Sequence, residues 1–144
     1  MSGYSGTPLA KKLGLAPGMR VLVAGAPGDW RALVDPPAQV TQARAAGKSV
    51  DVFHLLATSR TALADRLGRW RRAMRDDAVV WVSWPKRGSG VATDVTENVV
   101  RDIALPIGLV DVKVCAVDGT WSGLKLVVRR EHRAAKRTGS RGTA

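Results

Sequence analysis

Three groups of residues in this chain combine types and spacings that could do chemistry. The first is Gly25-Ala26-Pro27-Gly28-Asp29-Trp30, a glycine-bearing loop that follows the apolar run Val21-Leu22-Val23-Ala24. Such a loop lets backbone N–H groups approach a cofactor or an anion, so Gly25, Gly28, Asp29 and Trp30 are candidate ligand-binding residues. The second is Lys86-Arg87-Gly88-Ser89-Gly90, continuing to Asp94. An ammonium group beside small, permissive residues suits a phosphate or carboxylate, which makes Lys86 and Asp94 candidates for the same ligand. Gly-x-x-x-x-Gly-Lys-Ser/Thr is absent, so this is no P-loop. The third is Asp118, Trp121, Ser122 and Lys125. A serine near a lysine suggests a nucleophile and its base, yet the two stand three apart around Gly123, and nothing supplies an orienting group or an oxyanion hole. Turn chemistry explains this cluster better: Asp118-Gly119 is a common turn pair, and Trp121 would cover the sheet. No catalytic residue is assigned.

The remaining reactive side chains have structural readings. His54 lies inside an apolar strand and reads as a hydrogen-bonded core histidine; Cys115 reads as a small buried apolar residue. A single cysteine excludes an internal disulfide, and with only His54 and His132 beside it a Cys/His zinc site is not expected. Arg66, Arg69, Arg72 and Arg75 form one face of a helix, with Asp65 and Asp76 four residues from Arg69 and Arg72, and read as a solvated face rather than an anion-binding surface.

The elements that must position these groups are legible from periodicity. Thr7-Pro8 opens a short helix over Pro8 to Leu13, closed by Gly14. Arg20 to Ala24 is a buried strand, and Trp30 to Val34 is one helical turn before Asp35-Pro36-Pro37. Val40 to Arg44 is a weak strand. Val50 to Ala57 is apolar at six of eight positions and should be a central parallel strand. Thr58 or Ser59 then caps a helix with the apolar stripe Leu63, Leu67, Trp70 and Met74. Ala78 to Trp84 is the next strand, stopped by Pro85, and strand–helix–strand implies a parallel crossover. Asp94 with Glu97 has the form of a capping pair for a helix from Val95 to Leu105, whose stripe is Val95, Val99 and Ile103. Val110, Val112, Val114 and Ala116 alternate with polar neighbours, as do Leu124, Leu126 and Val128; these two runs should pair as an antiparallel hairpin across Asp118 to Gly123. Four segments should meet at the carboxyl ends of the strands: Gly25 to Trp30, Thr58-Ser59, Lys86 to Asp94, and the start of the last pair at Asp111.

The 144 residues, 45% hydrophobic and 24% charged, suffice for one domain with a core. The expected division is a single Rossmann-like α/β domain over 1–130 and a basic tail over 131–144. From Arg129 onward six basic residues face one acidic residue, so the terminus carries about half of the net charge of +11, and its polar composition predicts no fixed structure. No apolar stretch is long enough to span a bilayer and no signal peptide opens the chain, so no membrane partner and a cytoplasmic location are expected. Lys113, Lys125 and Arg129 near the hairpin edge favour a monomer.

A parallel three-layer core closed by an antiparallel C-terminal hairpin resembles the class I methyltransferase fold, and Pro17-Gly18-Met19-Arg20 through Trp30 resembles that family's first strand and glycine loop. The resemblance implies an α/β, three-layer Rossmann-like domain with a mostly parallel sheet. Those enzymes carry Gly-x-Gly in this loop and an acidic residue ending the second strand; here Pro27 interrupts the loop and Thr41-Gln42-Ala43-Arg44 offers no carboxylate. A second resemblance rests on Tyr4-Ser5-Gly6-Thr7-Pro8-Leu9 with Lys12-Leu13-Gly14, on Trp84-Pro85-Lys86 with Ala92-Thr93-Asp94, and on Leu109 to Asp118 followed by Thr120 to Lys125. In these motifs the chain is similar to the small bacterial proteins grouped as domain of unknown function 3052, which implies a compact soluble α/β domain and brings no established activity. The main functional expectation is a non-catalytic domain that binds a small anionic ligand or a macromolecular partner, with no cofactor specified. One alternative is a divergent S-adenosylmethionine-dependent methyltransferase. The other is nonspecific nucleic-acid contact through Arg133, Lys136, Arg137 and Arg141.

Overall fold

The computed structural model describes residues 8–129. The expected tail, with Arg133, Lys136, Arg137 and Arg141, lies outside the described residues. In chain order the elements are α1 (Leu9–Lys12), β1 (Arg20–Ala24), α2 (Trp30–Val34), β2 (Thr41–Gln42), β3 (Val52–Leu56), α3 (Arg60–Ala73), β4 (Val79–Pro85), α4 (Glu97–Ala104), a 3-10 turn (Leu105–Ile107), β5 (Leu109–Ala116) and β6 (Trp121–Val128). They build one six-stranded sheet in the order β2-β1-β3-β4-β6-β5. The first four strands in that order are parallel; β6 runs antiparallel to both β4 and β5. β3 is buried at all five positions, as its unbroken apolar run requires of a strand covered on both sides.

Side-chain alternation divides the core between the two faces of the sheet. One face packs Leu22, Phe53, Val80 and Val82 under Leu63, Leu67, Trp70 and Met74 of the α3 stripe and Val100 of α4. The other packs Val21, Val52 and Trp81 against Ala10 and Leu13 near α1, and Trp30 and Val34 of α2. α1 is only four residues long and cannot hold itself together; the buried indole N–H of Trp81 fixes its end by donating to the Leu13 carbonyl at 3.1 Å.

Several expectations need correction. α4 begins at Glu97, not Val95, and is capped by Thr96, whose hydroxyl accepts from the Val99 N–H at 3.2 Å. Asp94 does not cap α4; its carboxylate accepts from the Arg60 N–H at 2.6 Å, in the first turn of α3. β2 is reduced to two exposed residues, continued by a single bond from the Ala43 N–H to the Val21 carbonyl. Arg75 does not belong to a solvated face: it pairs with Asp51 at 2.6 Å and Asp77 at 2.5 Å and donates to the Lys48 carbonyl, anchoring the connection between β2 and β3. Val112 and Val114 are exposed, because β5 is the terminal strand of the sheet and its register slips between Asp111 and Lys113. Cys115, on the same strand, is half-buried, and burial pushes its thiol pKa up against the opposing pull of Lys12 and Lys113.

Asp111 sits at the wrong end of the sheet to join the other loops. It pairs with Leu126, opposite the start of β4, and its carboxylate takes the guanidinium of Arg101 at 3.1 Å while the same guanidinium also pairs with Glu97. No described helix is long and apolar enough to cross a membrane.

Candidate functional site

The carboxyl ends of β1, β3 and β4 carry the glycine loop, Thr58-Ser59 and the Lys86 loop along one edge of the sheet, where ligands enter open parallel sheets. The two outer loops differ in what their polar groups do. Gly25 adopts φ +79, and a Cβ built there would stand 2.0 Å from the Leu56 carbonyl oxygen. Glycine is therefore required because the loop lies directly on the end of β3. Gly28, at φ +151, faces open space. Asp29 caps α2, its carboxylate accepting from the Arg31 N–H at 3.0 Å. Trp30 is buried, and its indole N–H donates to His54 Nδ1 at 3.0 Å.

That bond fixes the imidazole tautomer. With Nδ1 accepting, the neutral ring carries its proton on Nε2 and donates it to the Ser83 hydroxyl at 2.8 Å. Burial alone pushes the His54 pKa down from 6.5 to about 4. His54 is thus a saturated core residue, as its apolar flanks predict, joining α2, β3 and β4 beneath the glycine loop.

At the end of β4 a cleft of about 640 Å³ opens between the Lys86 loop, the start of α4 and β6, with Trp84, Lys86, Val91, Thr93, Thr96 and Ser122 among its lining. The loop is moored at both ends. The Lys86 N–H donates to the Thr120 carbonyl at 2.7 Å, the Thr93 hydroxyl donates to the Thr58 carbonyl at 2.8 Å, and Asp94 holds the Arg60 N–H. Gly88 and Gly90 take φ +85 and +89, left-handed conformations that glycine adopts without steric cost. Lys86 is half-buried and its ammonium has no ion-pair partner among the described residues.

The Asp118 cluster is divided by the sheet. Asp118 closes the hairpin by accepting from the Thr120 and Trp121 N–H groups at 2.8 and 2.7 Å, and Trp121 is buried against Leu56 and Val117. Ser122 pairs with Trp84 and lines the cleft, whereas Lys125 pairs with Trp81. Residues three apart on a strand project to opposite faces, so Ser122 and Lys125 do not face one another.

A second cleft, about 320 Å³, lies at the end of β1 and was not anticipated from the sequence. Leu22, Ala24 and Trp70 give its apolar part, and Arg44, Arg66 and Arg69 its charged part. The legible signal was an arginine two residues after a strand together with two arginines one turn apart on a helix.

No protein-family model matches the chain and no curated protein matches it. Solved structures do. A TehB-like SAM-dependent methyltransferase from Corynebacterium glutamicum aligns with a TM-score of 0.55 at 9% identity, over 88% of this chain and 90% of that one. A putative methyltransferase from Thermoplasma acidophilum aligns with 0.55 at 10% identity, over 90% and 77%. LepI, in complex with SAH and a substrate analogue, aligns with 0.53 at 12% identity, over 84% of this chain but only 39% of its own length. The fold is therefore the methyltransferase-like, Rossmann-like α/β fold, mostly parallel with antiparallel C-terminal strands. At these identities the likeness defines the fold alone, and function has to be argued from the clefts.

Proposed function

We propose that this chain uses a methyltransferase-like fold to bind a small anionic ligand, taken up in the cleft at the end of β4. The observation that carries this reading is Lys86, an ion-pair-free ammonium on the wall of a cleft of about 640 Å³ that combines apolar Trp84, Val91 and Val95 with the hydroxyl-bearing Thr93, Thr96 and Ser122. The acidic groups nearby are already engaged: Asp94 with the Arg60 N–H, and Glu97 with Arg101. His54 is sealed in the core, and Ser122 has no base beside it. Those commitments support binding without covalent chemistry. Kinship with the domain of unknown function 3052 proteins, proposed on the three motifs quoted above, is compatible with this reading and adds no activity to it.

The fold itself favours a second reading, an S-adenosylmethionine-dependent methyltransferase, because a neighbour of the same fold holds SAH. The residues at the glycine loop fit that cofactor poorly. Pro27 brings no N–H, the Asp29 carboxylate and the Trp30 indole are spent on internal bonds, and the end of β2 presents Arg44 where ribose hydroxyls would need a carboxylate.

One experiment separates the two. The full chain is heated with increasing S-adenosylmethionine and, separately, with inorganic pyrophosphate, a ligand at 100 times its dissociation constant adding roughly 2.7 kcal/mol. The binding reading expects a saturable rise in Tm with pyrophosphate, of which Lys86→Met removes one component, and no response to S-adenosylmethionine. A saturable response to S-adenosylmethionine that survives Lys86→Met would replace it with the methyltransferase reading.

A further inference from the structure

We propose that the cleft at the end of β1 is a second, independent anion site, in which Arg44 and Arg66 hold the phosphate or carboxylate groups of a small organic anion and Leu22, Ala24 and Trp70 contact its compact apolar part. The proposal does not rest on the Lys86 cleft, which shares no residue with it.

The groove exists because of where helices are missing. α3 and α4 cover the face of the sheet that carries Leu22 and Phe53, and α3 has α4 as a neighbour on one flank. On the other flank, the connection from β2 to β3 forms no helix, so the carboxyl end of β1 on this face is left with a groove floored by Leu22, Ala24, Ala46 and Trp70. A parallel crossover normally places a helix at such a position. Into the space converge one arginine from the chain leaving β2 and two from successive turns of α3. No carboxylate lines the groove. Arg69 is paired with Asp65 at 2.6 Å, but Arg44 and Arg66 have no ion pair or side-chain hydrogen bond among the described residues.

Two unpaired guanidinium groups lining one groove favour a negative ligand placed between them. Their planar forks match carboxylate and phosphate oxygens bidentately, which selects an oxyanion over a halide. The volume of about 320 Å³ limits the ligand to a small metabolite. Charge complementarity therefore fixes the occupant as a small multivalent oxyanion with a short apolar portion, rather than a neutral or cationic molecule.

The test is calorimetric titration of the full chain with inorganic pyrophosphate, and separately with citrate, at low and at physiological ionic strength. Wild-type protein and four variants are compared: Arg44→Gln/Arg66→Gln, Arg44→Lys/Arg66→Lys, the charge-matched control Lys11→Gln/Lys125→Gln, and Lys86→Met. Arg44, Arg66 and Lys11 are exposed and make no described side-chain bond, so their substitution leaves the fold intact. The expected result is a saturable site that loses at least about tenfold in affinity in the double Gln variant and a smaller factor in the double Lys variant, and that Lys86→Met leaves unchanged. Preference for pyrophosphate assigns a phosphate ligand, and preference for citrate a carboxylate one. An equal loss in the Lys11/Lys125 control would overturn the proposal by reducing it to the net charge of the protein. So would duplex DNA binding that depends on Arg44 and Arg66 while both small anions fail to bind. Loss of all pyrophosphate binding on Lys86→Met alone would leave the Lys86 cleft as the sole anion site and overturn this one.

Discussion

Along the same edge of the sheet, the glycine loop after β1 and the Lys86 loop after β4 have opposite characters. In the glycine loop the polar groups are turned inward: Asp29 to α2, Trp30 to His54, and the Gly25 backbone against Leu56. The Lys86 loop is also anchored, but through Thr93 and Asp94 at its far end, leaving Lys86 and the wall of the cleft open. The difference teaches that a glycine signature marks a close approach without saying what approaches. Here the approaching group is a strand of the same chain.

That contrast can be broken most directly at Gly25. Gly25→Ala places a methyl group 2.0 Å from a backbone oxygen at a positive φ, and should cost about 3 kcal/mol or more, read as a lowered urea midpoint at unchanged slope. Gly28→Ala, facing open space, should cost clearly less. Equal losses at the two positions would mean that the loop does not lean on β3.

The next effect comes from acid. The folded protein disfavours protonated His54, so its contribution is fully present above pH 6.5, is lost as pH falls toward 4, and is gone below that. The loss should total about 3 kcal/mol in denaturation curves over this window, at 1.36 kcal/mol per pKa unit. His54→Gln should remove the slope in that interval. Asp51 does not interfere there. Although burial alone would raise its pKa, the Arg20 N–H and Arg75 bring it below the usual 3.8, so the stability it contributes is lost only at lower pH.

Trp30→Phe sharpens the comparison, keeping an aromatic ring at this buried position while removing the indole N–H. It strands His54 Nδ1 without its donor and should cost about 1–3 kcal/mol. Lys86→Met should be smallest, within about 0.5 kcal/mol in the absence of ligand, because the ammonium makes no ion pair or hydrogen bond among the described residues and the backbone bonds of the loop are kept. A large destabilisation by Lys86→Met would place that residue with the structural group and remove the basis for a binding cleft at β4.

Much of the edge was legible in the sequence because each element there announces itself locally. β1 and α2 fall where the hydrophobic run and the Asp35-Pro36-Pro37 break place them, and Ser59 caps α3 by accepting from the Ala62 N–H at 3.2 Å. Asp94 was misread because a helix cap and a carboxylate reaching another helix look alike in one dimension; its partner Arg60 lies 34 residues away. Val112 and Val114 are exposed although they alternate with polar neighbours, because alternation leads to burial only where something covers the face. The arginine groove was missed for a related reason: Arg44 and Arg66 are 22 residues apart and share a space only because no helix follows β2.

By itself the sequence determined the strands and helices, the hairpin, the buried character of His54 and the basic balance, since propensity, periodicity and capping act over a few residues. Tertiary structure alone decided which polar groups were consumed and which were left over. It folded the glycine loop onto Leu56, turned Asp94 to α3, split Ser122 from Lys125 across the sheet, and brought Arg44 beside Arg66. Whether a polar group is free for a ligand depends on what packs against it, and that is a property of contacts far apart in the chain.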